Sequence, residues 1–577
     1  MKKITKFTIF LAAFAVFGQS CKKALNLSPE DQLSDASYWK TPNDFKLAAN
    51  SFYSYERSFA DILNDNPHSD YRGDMLTENT KNLFSNGQNS VPVTDGNYNT
   101  AYTRIRNINY LLAKAAAYSA PATIKQYVAE AKFFRAYEYF ELLEMYGGVT
   151  IVTTPLSTGS PELNAARNTR DEVVDFILSD LNAAIPDLPL ESAIASGDKG
   201  RISQGAAQSF LGRVALYEGT WQKFRGNTTR ANTLLTASVA ASNAVISSNQ
   251  YSLFKPAALG DSALKYMFIL ENQKSNPAGI QKSANTEYIL ANRYDQTLRT
   301  PNLNITHSTF ANVYWPTKKF ANSFLCTDGL PIDKSPLFQG YATMASEFQN
   351  RDHRMKYTLM VAGKPYWYNY NPGCRVDWNS DANDIANAAY KSLNPGFNSG
   401  YQNQKWSSER QVPDYYEGYD YPVIRYAEVL LNYAEAVFEL NGSISDADLD
   451  KSLNLVRQRV NTTMPKLSNG FVGANGLDMR TEIRRERTVE LYFEGFRVDD
   501  LKRWKTAETE LPMPLLGITW TGTQFQTSWP GASSLKKDAN GNIILESGRT
   551  WSDKDYLLPI PTQQLQLNPK LSQNPGW

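Results

Sequence analysis

A mostly α-helical scaffold of tetratricopeptide-like helix pairs, interrupted by a long loop-rich insert with short strands, is the fold class that three observations predict. Apolar residues recur every three or four positions through most of 40–250 and again through 420–505. Within those helical patterns small residues (Ala, Gly) stand beside Tyr, Phe and Leu, the composition with which antiparallel helix pairs pack closely. Between about 250 and 420 the periodicity fades, and Gly, Pro, Asn, Trp and Tyr punctuate short apolar runs.

The chain starts outside this pattern. "MKKITKFTIFLAAFAVFGQSC" joins a basic start to an apolar run from Ile9 to Phe17, then to small and polar residues before Cys21. This is the grammar of a secretory signal over 1–20. The run is shorter than the ~20 apolar residues that span a bilayer. Cys21 resembles the lipid-attachment cysteine of a bacterial lipoprotein, although Gly18-Gln19-Ser20 lacks the usual Leu three residues before it. The remaining 21–577 is read as one domain. Its scaffold opens with an amphipathic helix over 44–59, followed by helices over 99–119, 124–148, 170–189, 203–222 and 231–249. A Gly pair stops the third of these. After the insert come a helical pair over 421–442 and 446–461 and a charged helical run over 481–504. An irregular segment closes the chain from 505 to 577, with a hairpin turn at Asp538-Ala539-Asn540-Gly541.

Chemistry is sparse. The net charge is +1 and no basic stripe occurs, which argues against a nucleic-acid partner. There are only 3 histidines, and the sequence contains no His-Glu-x-x-His helix, nucleophile elbow or phosphate loop. No catalytic residue, cofactor or metal site is assigned. "DWNSDAND" (377–384) alternates oxygen ligands but lacks the central Gly and closing Glu of a calcium loop. Cys326 and Cys374 do not by their spacing announce a disulfide. The charges of 481–504, Arg497 among them, flank a stripe of Val489, Tyr492, Phe493 and Phe496, and this spacing reads as a structural ion network.

Several runs taken in order resemble one family, the SusD/RagB-type outer-membrane lipoproteins of Bacteroidetes. They are "LNLSPEDQLSDASYWKTPNDF", "AKFFRAYEYFELLEMYGGV", "TDGLPIDKSPLFQGYATMASEFQNRDHRMKYTLM", "YPVIRYAEVLLNYAEA", "LNLVRQRV", "ERTVELYFEGFRVDDLKRW" and the closing "LLPIPTQQLQLNPKLSQNPGW". His353 departs from the family, which often has Pro there. The resemblance implies a tetratricopeptide-like helical fold and a lipid anchor on the outer face of the outer membrane. It implies a SusC-like TonB-dependent barrel transporter as partner, an oligosaccharide as the usual cargo, and no enzymatic activity.

That reading gives a use to "KPYWYNYNPGCRVDW" (364–378), which crowds large rings into a loop. A sugar offers an apolar C–H face to a ring, while Asn, Asp and Arg bond its hydroxyls. Trp367, Tyr368, Tyr370 and Trp378 are therefore candidate ligand contacts, with Tyr314, Trp315 and Trp406 elsewhere in the insert and Tyr98 in the earlier Asn-rich loop. Each ring has a second reading, as a pin holding a loop to the scaffold. A peptide-uptake subunit of the same kind of complex, a surface glycoside hydrolase with two facing carboxylates, and a purely structural scaffold are the other functional readings.

Overall fold

Local chemistry sets the helix starts. The computed structural model describes residues 38–63, 66–78, 81–272, 275–307, 314–361, 399–408 and 415–577. Helix α1 (Pro42–Phe52) opens with Pro in its first turn, and the Thr41 backbone N–H donates to Asp44 Oδ2 at 2.7 Å. Asp95 caps α2 (Gly96–Ala116) by accepting from the Asn97 N–H at 2.8 Å. Helix α3 (Lys125–Tyr146) stops at Gly147, whose φ of 76° suits glycine. A Thr169–Glu172 capping box starts α4 (Arg170–Ala184), Ser203 caps α5 (Gln204–Lys223) and Asn227 caps α6 (Thr228–Ser247).

The predicted small-against-large packing is seen most plainly between α5 and α6. A Cβ at Gly212 would lie 2.9 Å from Ser242 Oγ, and one at Gly219 would lie 2.9 Å from Leu235 Cγ. Glycine at both positions is what lets the two helices close, and Ser238 Oγ then donates to the Gly212 carbonyl at 2.8 Å. Phe133, Tyr137 and Phe140 of α3 gather around Phe210 of α5 at 5.4, 5.3 and 5.5 Å between ring centroids. Helix α2 packs on α3, α3 on α4, and α6 on α7 (Tyr426–Asn441), which places the last helices against the first.

The second half corrects the sequence reading in three places. Short two-stranded antiparallel pairs join β1 (Leu76–Thr77) to β3 (Trp315–Pro316) and β2 (Tyr288–Asn292) to β4 (Tyr421–Arg425). The β4 segment was expected to be the first turn of the helix over 421–442. Pro422 disfavours helix at the residue before it, Val423 and Ile424 suit a strand, and β2 supplies the partner, so α7 starts only at Tyr426. The expected helix over 446–461 is two short ones, Asp446–Asp450 and α8 (Leu453–Arg457). The run 481–504 breaks into α9 (Met479–Glu490) and α10 (Arg497–Arg503), where Phe493 and Gly495 take φ of 58° and 81°. The turn at 538–541 forms as expected, and β6 (Asn542–Glu546) leaves it to pair with β5 (Leu515–Thr519).

Buried charge fastens the insert to the scaffold. Arg425 Nε donates to Glu494 Oε2 at 2.7 Å and its Nη1 to Glu287 Oε1 at 2.9 Å and Glu490 Oε1 at 2.7 Å. Arg459 also binds Glu287 and Glu490, while Arg354 binds Glu486 at 2.5 Å and Asp352 at 2.7 Å. Burial opposes ionisation of Glu490, but Arg459, Arg425 and Arg354 outweigh it and hold the carboxyl below its ordinary range. The ion network read from 481–504 is therefore present, and it is the joint between two parts of the molecule. Arg497 belongs to it, pairing through two nitrogens with Asp74 at 2.8 and 2.9 Å.

Candidate functional site

Four of the predicted ligand contacts are placed in the interior, which corrects the expectation that they offer ring faces to a ligand. Trp406 is 0% exposed; its indole Nε1 donates to the Phe493 carbonyl at 3.0 Å, and Phe59 and Phe268 meet its ring edge-on at 5.0 and 4.8 Å. Tyr314 is wedged between Tyr71 and Phe493 at 5.8 and 5.7 Å. Trp315 is buried in β3 opposite Thr77. These three rings pin the insert to residues from both ends of the chain. Tyr98 is buried against Tyr102 and Tyr146, but it borders a cleft of about 650 Å³ between α2, the 150–164 loop and residues 564–571. Cys21, Trp367, Tyr368, Tyr370 and Trp378 lie outside the described residues, as do Cys374 and the 377–384 run. Cys326 is buried.

Thr306, Ser408 and Glu417 share one buried base. The Thr306 N–H donates to Glu417 Oε1 at 2.9 Å, and the Ser408 N–H reaches Thr306 Oγ1 at 3.4 Å. Burial raises the Glu417 carboxyl to about 7. Lys405 Nζ anchors the same base to the scaffold, donating to Glu494 Oε1 and the Tyr492 carbonyl, both at 2.6 Å.

Exposed rings do occur there, at two positions that sequence reasoning missed. Tyr415 and Tyr416 are 51% and 52% exposed, and Tyr415 holds a φ of 72°. A bulky side chain in that region is strained, and such strain clusters at functional sites. The available signal was Pro413-Asp414, a turn placed directly before paired tyrosines. Gly418, just beyond them, abuts the 295–299 hairpin so closely that a Cβ would lie 2.7 Å from the Gln296 backbone nitrogen.

Asn272, which bonds Asp295 of that hairpin, lines a cleft of about 770 Å³ together with Asn249, Gln250, Tyr251, Tyr288, Arg293 and Asp420, among others. Lys282 Nζ donates to Asp420 Oδ1 at 2.6 Å and to the Tyr294 carbonyl, while Asn272 Nδ2 donates to Asp295 Oδ2 at 2.9 Å. Backbone and side-chain donors of Thr297, with Asn272 and the Leu298 N–H, hold the Asp295 carboxyl well below its ordinary range, so the hairpin is set by a charged turn. Burial pushes the Tyr251 phenol up to about 12, leaving it a neutral hydroxyl against Ser203 Oγ at 3.0 Å. Asn, Gln, Tyr and Arg groups in a cleft of this size can hydrogen-bond a polyhydroxylated ligand. A second cleft of about 760 Å³ runs past Tyr341, Asn322 and Asn542, but Lys318 Nζ lies 3.3 Å from the centre of the Tyr341 ring and covers one of its faces.

Two features resemble sites without being open ones. His68, Glu141 and Glu144 converge as metal ligands might, but Arg57 donates to both carboxylates at 2.8 and 2.6 Å and Lys502 pairs with the adjacent Asp499 at 3.2 Å. Protein cations thus already neutralise the cluster. Burial and Arg57 push the His68 pKa down, while Glu141 and Asp499 raise it and prevail, to about 9. No helix among the described residues is long and apolar enough to cross a membrane.

A rigid helical-repeat scaffold carrying a loop-built surface with exposed rings and a polar cleft defines a class, that of ligand-binding proteins. The comparisons make the class specific: the model of the SusD family matches residues 268–577, and the chain belongs to that family. A second model, described as "Starch-binding associating with outer membrane", matches residues 27–216. A SusD-like protein of Formosa agariphila is 23% identical, covering 92% of this chain and 96% of its own. Among solved structures, a SusD-like carbohydrate binding protein from Bacteroides fragilis superposes with a TM-score of 0.73 at 22% identity, covering 92% of this chain and 99% of that one. A laminarin binding SusD-like protein superposes with a TM-score of 0.58 at 20% identity, over 93% and 99% of the two chains.

Proposed function

We propose that the protein captures an oligosaccharide at the cell surface and delivers it to a SusC-like TonB-dependent barrel in the outer membrane, held there by lipid on Cys21. The observation that carries this reading is the polar cleft of about 770 Å³, whose wall includes Asp420, a few residues along the chain from the exposed Tyr415–Tyr416 pair. Family membership supports it, as do the relatives whose names describe carbohydrate and laminarin binding. Sugar rings stack on exposed tyrosines, and the amide, hydroxyl and guanidinium groups of the cleft take the hydroxyls. Trp367, Tyr368, Tyr370 and Trp378 are proposed as further contacts. The protein acts by binding and transfer; it does not cleave what it holds.

The test is a glycan array followed by isothermal titration on the chain from residue 22 onwards, which lacks the lipidated cysteine. A bound oligosaccharide that is recovered intact, and that loses affinity in Tyr415→Ala, Tyr416→Ala or Trp367→Ala, supports the reading. Tight binding of peptides with no glycan bound, or steady release of cleaved sugar, overturns it.

A further inference from the structure

A smaller cleft of about 270 Å³ opens off the one just described, sharing Lys199, Gly200, Arg201, Ala291 and Arg293 with it. It forms where the end of α1, the 197–201 turn and the exit of β2 meet. Glu56 lies in its lining. This residue is 6% exposed, and its Oε1 has no hydrogen-bond partner among the described residues. A buried carboxyl left so is costly, and native proteins seldom keep one without a use.

The walls are cationic and pre-set. Arg293 lies across Gly200, where φ is 100° and any Cβ would come within 2.7 Å of Arg293 Cδ. Only glycine lets the arginine lie there, with Nη1 donating to the Lys199 carbonyl at 2.5 Å. Arg299 Nη1 donates to the Arg293 carbonyl at 2.7 Å, and its guanidinium sits over the Tyr294 ring at 4.8 Å. Each arginine is fixed by one nitrogen, and Nε and Nη2 of both make no hydrogen bond to the described residues. Nearby charges are otherwise spent. Arg201 is committed to Glu130 and Asn50, Asp198 to Lys46, and Lys199 to Glu191.

We propose that this cleft binds the anionic group, carboxylate or sulfate, of an acidic saccharide, with Arg293 and Arg299 presenting their free nitrogens to its oxygens and Glu56 donating a hydrogen bond from the floor. The inference rests on the carbohydrate-binding reading above and deepens it by naming a ligand class. A planar guanidinium with two free N–H groups matches an oxyanion. Burial raises the Glu56 carboxyl well above its ordinary value against the pull of Arg299, which favours the protonated form, the one that can donate. Neighbouring sugar units would extend into the larger cleft through the shared wall.

The experiment is calorimetric titration of the chain from residue 22 onwards with trigalacturonate, a sulfated galactan trisaccharide and maltotriose. The acidic probes should bind more tightly than maltotriose, and the better of the two identifies the acid. Arg293→Ala with Arg299→Ala should weaken the acidic probes by about ten- to hundredfold, the range of hydrogen bonds to charged groups; Arg299→Ala alone, which leaves the lining of the larger cleft intact, should weaken them less and leave maltotriose binding unchanged. Both arginines are exposed, so the melting temperature should hold. Glu56→Gln keeps a donor and should keep acidic binding, whereas Glu56→Leu should lose it. Neutral sugar bound as well as acidic, or full acidic affinity in the double arginine variant, overturns the inference while leaving the carbohydrate reading in place. Failure of every saccharide, on the array as well, removes both.

Discussion

Trp406 and Tyr415 belong to the same stretch of insert and both hold positive φ, 69° and 72°. One is fully buried and the other 51% exposed. Such a backbone costs of order 1–3 kcal/mol in either case. For Trp406 the burial of a large ring, against about 3–5 kcal/mol lost on truncation to alanine, offsets that cost. Tyr415, half exposed, has no comparable packing among the described residues. The described part of the insert thus has two layers: an inner one whose rings and charges hold it to the scaffold, and an outer one whose rings, Tyr415 and Tyr416, are half exposed, the first at a conformational cost.

The largest effect that would break this division is in the inner layer. Arg425→Ala should leave Glu287, Glu490 and Glu494 buried with one cation fewer, a loss of about 3–5 kcal/mol measurable by chemical denaturation. A variant as stable as the parent would mean that the joint is not electrostatic. Trp406→Ala should cost about 3–5 kcal/mol and affect glycan binding only as far as unfolding does. Were it instead to abolish binding at an unchanged melting temperature, the pin and the contact would have to be exchanged.

A pH series sharpens the same boundary. His68 is buried with its pKa raised to about 9, above the ordinary 6.5. A raised base stabilises the fold fully below the unfolded value, so stability should fall as pH rises from 6.5 through 9, by on the order of 3 kcal/mol. His68→Gln should flatten that decline; a profile identical to the parent's would show that the cluster does not titrate as a unit. The smallest effect is in the outer layer. Tyr415→Gly should change stability by no more than about 1 kcal/mol, towards greater stability, because glycine tolerates the backbone. Glycan affinity should nonetheless drop, and an unchanged dissociation constant would reassign Tyr415 to a purely structural turn.

What the sequence could convey follows from the range of the interactions. The starts of α4 and α5 were legible to within a residue from the apolar pattern, whereas α1 and α2 begin at Pro42 and Gly96, ahead of the predicted 44 and 99, because Thr41 and Asp95 cap polar first turns that the apolar period does not mark. The 538–541 turn was legible because its residues act within the turn itself. β4 was not, because its partner Tyr288–Asn292 is remote in the chain and its own residues continue the apolar pattern of α7. The fate of Trp406 was hidden in the same way: nothing near it in sequence announces Phe59 or Phe268. The Glu56 cleft has no sequence signature at all, since it joins residues from the first helix, a turn near 200 and the end of β2.

The buried ion network also bears on how the chain reaches its fold. Glu287 meets Arg459 across 172 residues of sequence and Arg425 across 138, and Arg354 meets Glu490 across 136. None of these charges can shed its water before its partners arrive, and each arrival closes a long loop. Helices α2 to α6 can pair locally and early, whereas the joint must assemble late and together. Refolding should accordingly show a fast phase in helix content and a slow one in Trp406 fluorescence, the order expected when distant contacts are made last.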